Sequence, residues 1–163
     1  AALPLITDKE QAQWLTETYE ANKRLIPGAP ALDCELGDPQ GTKLHFADLY
    51  GKTLYIDVWA TWCGPCCEEI PHLEKLVESY RNDSRIAFVS ISVDKDREDW
   101  LQKLAADNPQ WRQLRNPEFT SLYGISGIPC FLMISPDGTI TTVHAPRPSD
   151  PEIRTFIDQT LAR

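Results

Sequence analysis

The stretch Leu54-Tyr55-Ile56-Asp57-Val58-Trp59-Ala60-Thr61-Trp62-Cys63-Gly64-Pro65-Cys66 decides the fold of this 163-residue chain. Its first six residues are apolar at every position except Asp57, which is typical of a central strand in a sheet covered on both faces. The two cysteines follow the strand directly. Residues 65–80 then repeat apolar side chains at helical spacing, at Ile70, Leu73, Val77 and Tyr80. The stretch therefore predicts a buried strand, a turn carrying two cysteines and an amphipathic helix.

The segments on either side complete an α/β chain. The pattern predicts a helix over 8–26, with Thr7 or Asp8 as its cap, and further helices over 96–107, near 119–123 and after Asp150-Pro151. Short strands are predicted over 31–36, 42–46, 86–93, 130–134 and 139–144. This order predicts a three-layer α/β/α sandwich with a mixed central sheet, an N-terminal β-hairpin extension and an N-terminal helix. We expect residues 1–28 to be a lead-in segment and residues 29–163 to form the domain.

Composition narrows the classes of partner. The net charge of −8 argues against nucleic acid and anionic lipid as partners, because neither attracts an acidic surface. No apolar run approaches the roughly 18 residues of a membrane span, so we expect the domain itself to be soluble. The chain begins Ala1-Ala2-Leu3 and has its single methionine at Met133, so we expect that a signal peptide, a lipoprotein leader or an upstream domain has been removed.

The Cys63-Gly64-Pro65-Cys66 motif indicates redox chemistry. A cysteine at a strand-to-helix junction has its sulfur at a helix N-terminus, where the positive end of the dipole lowers the thiol pKa and favours the nucleophilic thiolate. We expect Cys63 to be the exposed attacker and Cys66 the more buried thiol that resolves a mixed disulfide. A zinc half-site is the alternative, but it needs a second pair of ligands, and the histidines at 45, 72 and 144 are scattered.

Residues 59–66, WATWCGPC, resemble the active-site segment of the thioredoxin superfamily. Gly51-Lys52, Glu69-Ile70-Pro71, Gly127-Ile128-Pro129 and Pro136-Asp137-Gly138 are similar to the extracytoplasmic branch called TlpA/ResA-like thiol–disulfide oxidoreductases, over residues 29–162. The resemblance implies a thioredoxin-like fold, a redox-active disulfide and a periplasmic or otherwise extracytoplasmic location in bacteria, with possible anchoring to the membrane. It also implies protein disulfide substrates and a membrane-bound protein electron donor, and we expect a monomer.

The resemblance assigns roles to two acidic residues. Asp57 matches the buried aspartate behind the thioredoxin disulfide, whose burial raises its pKa, and it would accept the Cys66 proton as general base. Glu69 matches the acidic residue near the cysteine pair in the TlpA/ResA branch and would tune or shuttle the same proton. The alternatives are a hydrogen-bonded structural carboxylate for Asp57 and a solvated first-turn glutamate for Glu69. Thioredoxin has a lysine near this aspartate about where Ser90 stands.

The resemblance also implies a client-binding surface. Pro129 matches the family's cis-proline, which would leave the Ile128 backbone free to pair with an extended substrate segment. An ordinary trans proline opening an edge strand is the alternative. Trp62 is expected to form a flat apolar surface beside Cys63, next to Gly64 and Pro65, whereas Trp59 is expected in the core.

Three cysteines remain outside the motif. Cys67 and Cys130 are interpreted as packing residues, with a third redox thiol as the alternative for Cys130, and Cys34 has no identifiable partner. We predict no second intramolecular disulfide, so that the oxidised protein has three free thiols.

The same residues fit other functions less well. A copper-binding carrier is the main alternative, because Cys63 and Cys67 form a C-x-x-x-C pair of soft ligands, although nothing singles out His144 as the distant ligand. A thiol peroxidase is disfavoured because Ala60 stands where that family has threonine, and an intact cysteine pair argues against a redox-inert domain. No haem, flavin or nucleotide motif is present, so no cofactor and no metal are expected.

Overall fold

A computed structural model describes residues 8–13 and 26–163 of the chain. The strands are β1 (Glu35–Gly37), β2 (Lys43–His45), β3 (Thr53–Trp59), β4 (Ile86–Ser92), β5 (Arg112–Arg115), β6 (Cys130–Ile134) and β7 (Ile140–Thr142). The helices are α1 (Gly64–Ser79), α2 (Arg97–Asp107), α3 (Phe119–Tyr123) and α4 (Ile153–Leu161), with a 3-10 turn at Phe46–Leu49.

The predicted N-terminal helix over 8–26 is helical at residues 8–13. Its expected cap at Thr7 and its apolar positions at 14, 15, 21 and 25 lie outside the described residues. The division of the chain after residue 28 therefore stays a prediction. None of the helices in the described part of the chain is long and apolar enough to cross a membrane.

The strands form one mixed sheet in the order β2-β1-β5-β4-β3-β6-β7. β3 pairs in parallel with β4 on one side, which places Asp57 opposite Ser90. On its other side β3 pairs antiparallel with β6, which places Asp57 opposite Phe131. β3 is thus central, and all seven of its residues are buried, as the apolar run predicts.

Strand β5 is absent from the sequence-based prediction, which has a loop in this region. Its four residues, RQLR, carry too little apolar periodicity to signal a strand. The strand exists because β4 offers it a parallel partner over four residue pairs and β1 pairs with its end at Arg115. The segment at 28–31 similarly pairs with the β6–β7 hairpin, through hydrogen bonds from Gly28 N to the Ile140 carbonyl and from Ile140 N to the Ala29 carbonyl.

Core side chains cover both faces of the sheet, because residues along β3 alternate between two clusters. Leu54, Ile56 and Val58 pack in one cluster, together with Phe46, Trp100, Phe119 and Tyr123. Tyr55 packs in the other, together with Leu73 and Leu76 of α1 and Ile153 and Ile157 of α4. The alternation confirms the three-layer architecture and fixes which helices flank the central strand.

The helix ends follow local capping chemistry. Cys63 is the N-cap of α1, and a proline follows in the first turn, where no backbone donor is lost. Asp96 caps α2 by accepting a hydrogen bond from Glu98 N at 2.9 Å. The predicted start of α4 at Asp150-Pro151 is early, because Asp150 instead closes a turn onto Glu152 N, at 2.8 Å, and the helix begins at Ile153.

Candidate active site

Cys63 and Cys66 form a disulfide at the N-terminus of α1, with their Cα atoms 5.3 Å apart. The Cys63 sulfur accepts a hydrogen bond from Cys66 N at 3.3 Å, so it lies against the unpaired amides of the first helical turn. The Cys63 and Cys66 residues are 6% and 3% exposed. Cys63 is therefore less exposed than its predicted role as the exposed attacker implies.

The loop before β6 brings Ile128 and Pro129 to the disulfide. The Ile128–Pro129 peptide bond is cis, as the resemblance implies. The Ile128 carbonyl oxygen lies 3.8 Å from the Cys63 sulfur. Trp62 is 71% exposed on the other side of the cysteine, and Gly64 and Pro65 are exposed beside it. The five positions assigned to the site's surface and cis-proline loop thus lie around Cys63.

Asp57 lies in the middle of β3 and is buried. Its Oδ2 accepts a hydrogen bond from the Ser90 hydroxyl at 2.9 Å. Burial raises the pKa of Asp57 to about 7, the Ser90 hydrogen bond opposes that rise, and the charge of Glu69 adds to it. Ser90 thus gives this carboxyl a neutral hydrogen-bond donor.

Glu69 is buried, so the solvated first-turn glutamate of the sequence analysis is wrong. Its two carboxylate oxygens accept hydrogen bonds from the backbone N–H of Ser149, at 2.9 Å, and from the Ser149 hydroxyl, at 2.7 Å. Glu69 therefore ties the first turns of α1 to the segment that leads into α4. Ser149 is 80 residues away in the sequence, and no local sequence pattern indicates this contact.

No local sequence pattern marks Asp94, a buried residue beside the site. It is 2% exposed, and it accepts hydrogen bonds from Thr61 N, at 3.0 Å, the Thr61 hydroxyl, at 2.6 Å, and the Ser92 hydroxyl. Thr61 precedes Cys63 by two residues, so Asp94 anchors the loop between β3 and α1. The available signal was topological, because the carboxyl ends of the parallel strands β3 and β4 meet at one edge of the sheet.

Cys34, Cys67 and Cys130 are free thiols, each half-buried. Burial raises the pKa of Cys34 and of Cys130 to about 11, and it also raises the pKa of Cys67. The Cys67 sulfur contacts the Thr61 carbonyl at 3.6 Å, and the Cys130 sulfur contacts the Val143 carbonyl at 3.3 Å. Cys34 and Cys130 also pack against the hydrophobic core, whereas the interpretation of Cys67 as a packing residue stays a prediction.

Within residues 8–13 and 26–163, no group of three or more histidine, cysteine, aspartate or glutamate side chains is arranged to hold a metal ion. Cys63 pairs with Cys66, while the Cys67 sulfur faces the Thr61 carbonyl. The copper-carrier alternative therefore has no supporting observation in this part of the chain.

The sheet topology and the disulfide at a helix N-terminus define a thioredoxin-like thiol–disulfide oxidoreductase. The sequence profile of the Redoxin family matches residues 26–157, and the chain belongs to that family.

Two solved structures and a curated relative agree with this assignment. A crystal structure from Bacteroides vulgatus, provisionally assigned as a thiol–disulfide oxidoreductase, is 40% identical with a TM-score of 0.78, covering 83% of this chain and 97% of that one. A second, from Chlorobium tepidum, is provisionally assigned as the thiol:disulfide interchange protein DsbE; it is 26% identical with a TM-score of 0.72, covering 85% and 97%. The thiol–disulfide oxidoreductase ResA of Bacillus subtilis is 21% identical over 128 residues, which is 77% of this chain and 70% of ResA.

Proposed function

We propose that this protein reduces disulfide bonds of extracytoplasmic client proteins by dithiol–disulfide exchange at Cys63 and Cys66. The observation that carries the proposal is the Cys63–Cys66 disulfide at the N-terminus of α1, set between exposed Trp62 and the cis-Pro129 loop. An extended client segment pairs with the Ile128 backbone while its disulfide approaches Cys63 across the surface of Trp62, Gly64 and Pro65.

In the first step the reduced enzyme attacks the client. The Cys63 thiolate bonds to one sulfur of the client disulfide, and the other client sulfur leaves as a thiolate that takes up a proton. The amide of Cys66 and the helix dipole stabilise the Cys63 thiolate before the attack. The product is a mixed disulfide between Cys63 and the client.

In the second step Cys66 releases the client. The Cys66 thiol gives its proton to the Asp57 carboxylate, and the resulting thiolate bonds to the Cys63 sulfur. The second client sulfur then leaves as a thiolate. Two electrons have passed to the client, and a protein dithiol donor restores Cys63 and Cys66. A group with a pKa of about 7 suits this proton transfer at neutral pH. Glu69 acts on the same step by holding α1 against the Ser149 segment and through its charge near Asp57.

The reducing direction and the compartment rest on similarity. The Gly64-Pro65 dipeptide is similar to that of reducing thioredoxins. The extracytoplasmic location, the protein disulfide substrates and the membrane-bound electron donor are implied by the resemblance to the TlpA/ResA branch, and the similarity to proteins named ResA and DsbE supports them. We propose the same for this chain, as a monomeric domain tethered to the membrane.

The test measures the equilibrium potential of the Cys63–Cys66 pair against dithiothreitol, with exchange on insulin as the protein disulfide. We expect a potential near that of reducing thioredoxins, about −270 mV, and insulin reduction with dithiothreitol as donor. A potential near the strongly oxidising value of about −120 mV contradicts the reductase assignment.

Three variants assign the two steps. Cys66→Ser is expected to accumulate a mixed disulfide with the substrate, and Cys63→Ser to form none. Cys67→Ser is the matched control on the same helical turn and is expected to retain full turnover. Loss of turnover in Cys67→Ser, with Cys66→Ser still active, contradicts the assigned pair.

A further inference from the structure

A short chain of hydrogen bonds runs from the indole of Trp111 to the buried carboxyl of Asp57. Trp111 Nε1 lies 2.8 Å from the Ser90 hydroxyl oxygen, and that hydroxyl lies 2.9 Å from Oδ2 of Asp57. Ser90 and Asp57 face each other in the β3–β4 register, and Ser90 is 2% exposed. The loop between α2 and β5, which carries Trp111, therefore reaches the centre of the sheet through one serine.

The chemistry of the three groups fixes the direction of this chain. An indole N–H donates and cannot accept, so the Ser90 oxygen must accept from Trp111. A hydroxyl has one proton, and with its oxygen engaged by the indole that proton points at Asp57. Within the described residues Oδ1 of Asp57 has no hydrogen-bond partner. The two oxygens of the Asp57 carboxyl therefore differ. Oδ2 accepts a hydrogen bond from the Ser90 hydroxyl, and Oδ1 accepts none from the described residues.

We propose that Trp111 and Ser90 are positioning residues that lock the Ser90 hydroxyl as a donor to Oδ2 of Asp57, so that Asp57 takes up and releases its proton at Oδ1. This inference deepens the proposed function and rests on Asp57 as the acceptor of the Cys66 proton. The Ser90 hydroxyl stabilises the ionised carboxylate with a neutral donor, in the place where a lysine would do so with a charge.

The space around the carboxyl supports a role for fixed donors rather than solvent. Asp57, Ser90 and Trp111 line a small cavity of about 10 Å³, together with Ile70 and Leu104. That volume is about the lower limit for one water molecule. Few water molecules can therefore reorganise around Asp57 when its charge changes, and the orientation of Ser90 matters accordingly.

Other titratable groups surround Asp57, and the test must hold them constant. Some of these groups interact electrostatically with Asp57 and others line its cavity. They come from four elements: Tyr55 on β3, Cys67 and Glu69 on α1, Asp107 on α2 and Cys130 on β6. None of them is hydrogen-bonded to Ser90 or Trp111 within the described residues. Changes at Ser90 and Trp111 therefore leave these groups in place.

The experiment titrates Asp57 directly by NMR of ¹³C-labelled aspartate carboxyls in the full chain, with Asp57→Asn for assignment. We expect Ser90→Ala to raise the midpoint by about one pH unit, because the charged form loses its donor. Trp111→Phe is expected to raise it by about half as much, since the hydroxyl can then turn away. Ser90→Thr keeps the hydroxyl and should titrate like the wild type.

Trp100→Phe is the matched control for Trp111→Phe. Its indole N–H is buried and has no hydrogen-bond partner in the described part of the chain, so the substitution removes similar volume and no bond. We expect no shift in its Asp57 midpoint. An unchanged midpoint in Ser90→Ala overturns the proposal, and a Trp111→Phe midpoint equal to that of Trp100→Phe overturns the directing role of the indole.

A second readout separates this inference from the proposed function. The rate at which Cys66 resolves a preformed mixed disulfide is measured against pH in the same variants. A rate profile that shifts with the NMR midpoint supports both the hydrogen-bond chain and the role of Asp57 as proton acceptor. NMR midpoints that shift while the rate profile stays still support the hydrogen-bond chain and contradict the role of Asp57 as proton acceptor.

Discussion

Two buried aspartates flank the junction between β3 and α1, and they are held in opposite ways. Asp57 lies within β3 and, among the residues that the structure describes, accepts a side-chain hydrogen bond only from Ser90. Asp94 lies just beyond β4 and accepts hydrogen bonds from the Thr61 backbone, the Thr61 hydroxyl and the Ser92 hydroxyl. Both are at most 6% exposed, so burial alone does not distinguish them.

The comparison indicates that the number of donors decides what a buried carboxylate can do. Asp94 has both oxygens occupied by hydrogen-bond donors from Thr61 and Ser92 and acts as an anchor. Asp57 has an open oxygen and little compensation for its burial, which raises its pKa to about 7. The first arrangement holds the active-site loop, and the second leaves a group able to exchange a proton.

The largest effect is expected from Asp94→Ala. The substitution leaves the Thr61 amide, the Thr61 hydroxyl and the Ser92 hydroxyl without their acceptor, which costs about 3 kcal/mol or more of unfolding free energy. Urea unfolding of the oxidised protein measures this, and Thr61→Val, which removes one donor, is the graded control at about 1 kcal/mol. A change below about 0.5 kcal/mol, the size of an ordinary surface substitution, would contradict the role of Asp94 as an anchor.

Asp57→Asn is expected to change mainly how the free energy of unfolding depends on pH. The pKa of Asp57 is raised in the folded protein, from 3.8 to about 7, so the folded state holds the proton more tightly. The stability this contributes is complete below about pH 4 and is lost as pH rises through about 7, by up to about 4 kcal/mol. The wild type should therefore lose stability relative to Asp57→Asn across that window, as measured by urea unfolding at a series of pH values. Parallel curves for the two proteins would contradict the raised pKa.

A smaller effect is expected where Glu69 holds the Ser149 segment. Ser149→Ala removes the hydroxyl bond and keeps the backbone bond, so it should cost about 1 kcal/mol, and Glu69→Ala, which removes both, about 2 kcal/mol. Thermal or urea unfolding of both single variants and the double variant gives the coupling between them. Additive losses would show that the two side chains do not act as one contact.

The smallest effect concerns Cys130, whose pKa of about 11 is raised by burial and further by the charge of Asp57. At about pH 9, Asp57→Asn should speed its alkylation by about twofold. Cys34 is the matched control, because its pKa is also about 11 and Asp57 is not among the causes. Mass spectrometry of the alkylated, oxidised protein should also count three free thiols in the wild type; a single free thiol would reveal a second disulfide.

The local sequence pattern predicted the elements whose own residues show a clear apolar run or helical periodicity. The continuous apolar run of β3 and the helical spacing after Cys66 are strong enough to place the redox motif at a strand–helix junction. Strand β5 could not be found this way, because its polar residues form a strand only where β4 and β1 supply partners. The start of α4 was placed early for a related reason: Asp150 and Pro151 are typical of a helix start and also of the turn that they form here.

The sequence by itself determined the chemistry of this protein: two cysteines three residues apart, after a buried strand and at the start of a helix, can form and exchange a disulfide. The resemblance added the family and the candidate roles of Asp57, Glu69 and Pro129. Only the tertiary structure decided which buried groups touch, because Ser90 with Trp111, Glu69 with Ser149 and Asp94 with Thr61 are contacts between separate elements. Hydrogen-bond direction and burial arise from those contacts, and they make one buried aspartate an anchor and leave the other open to a proton.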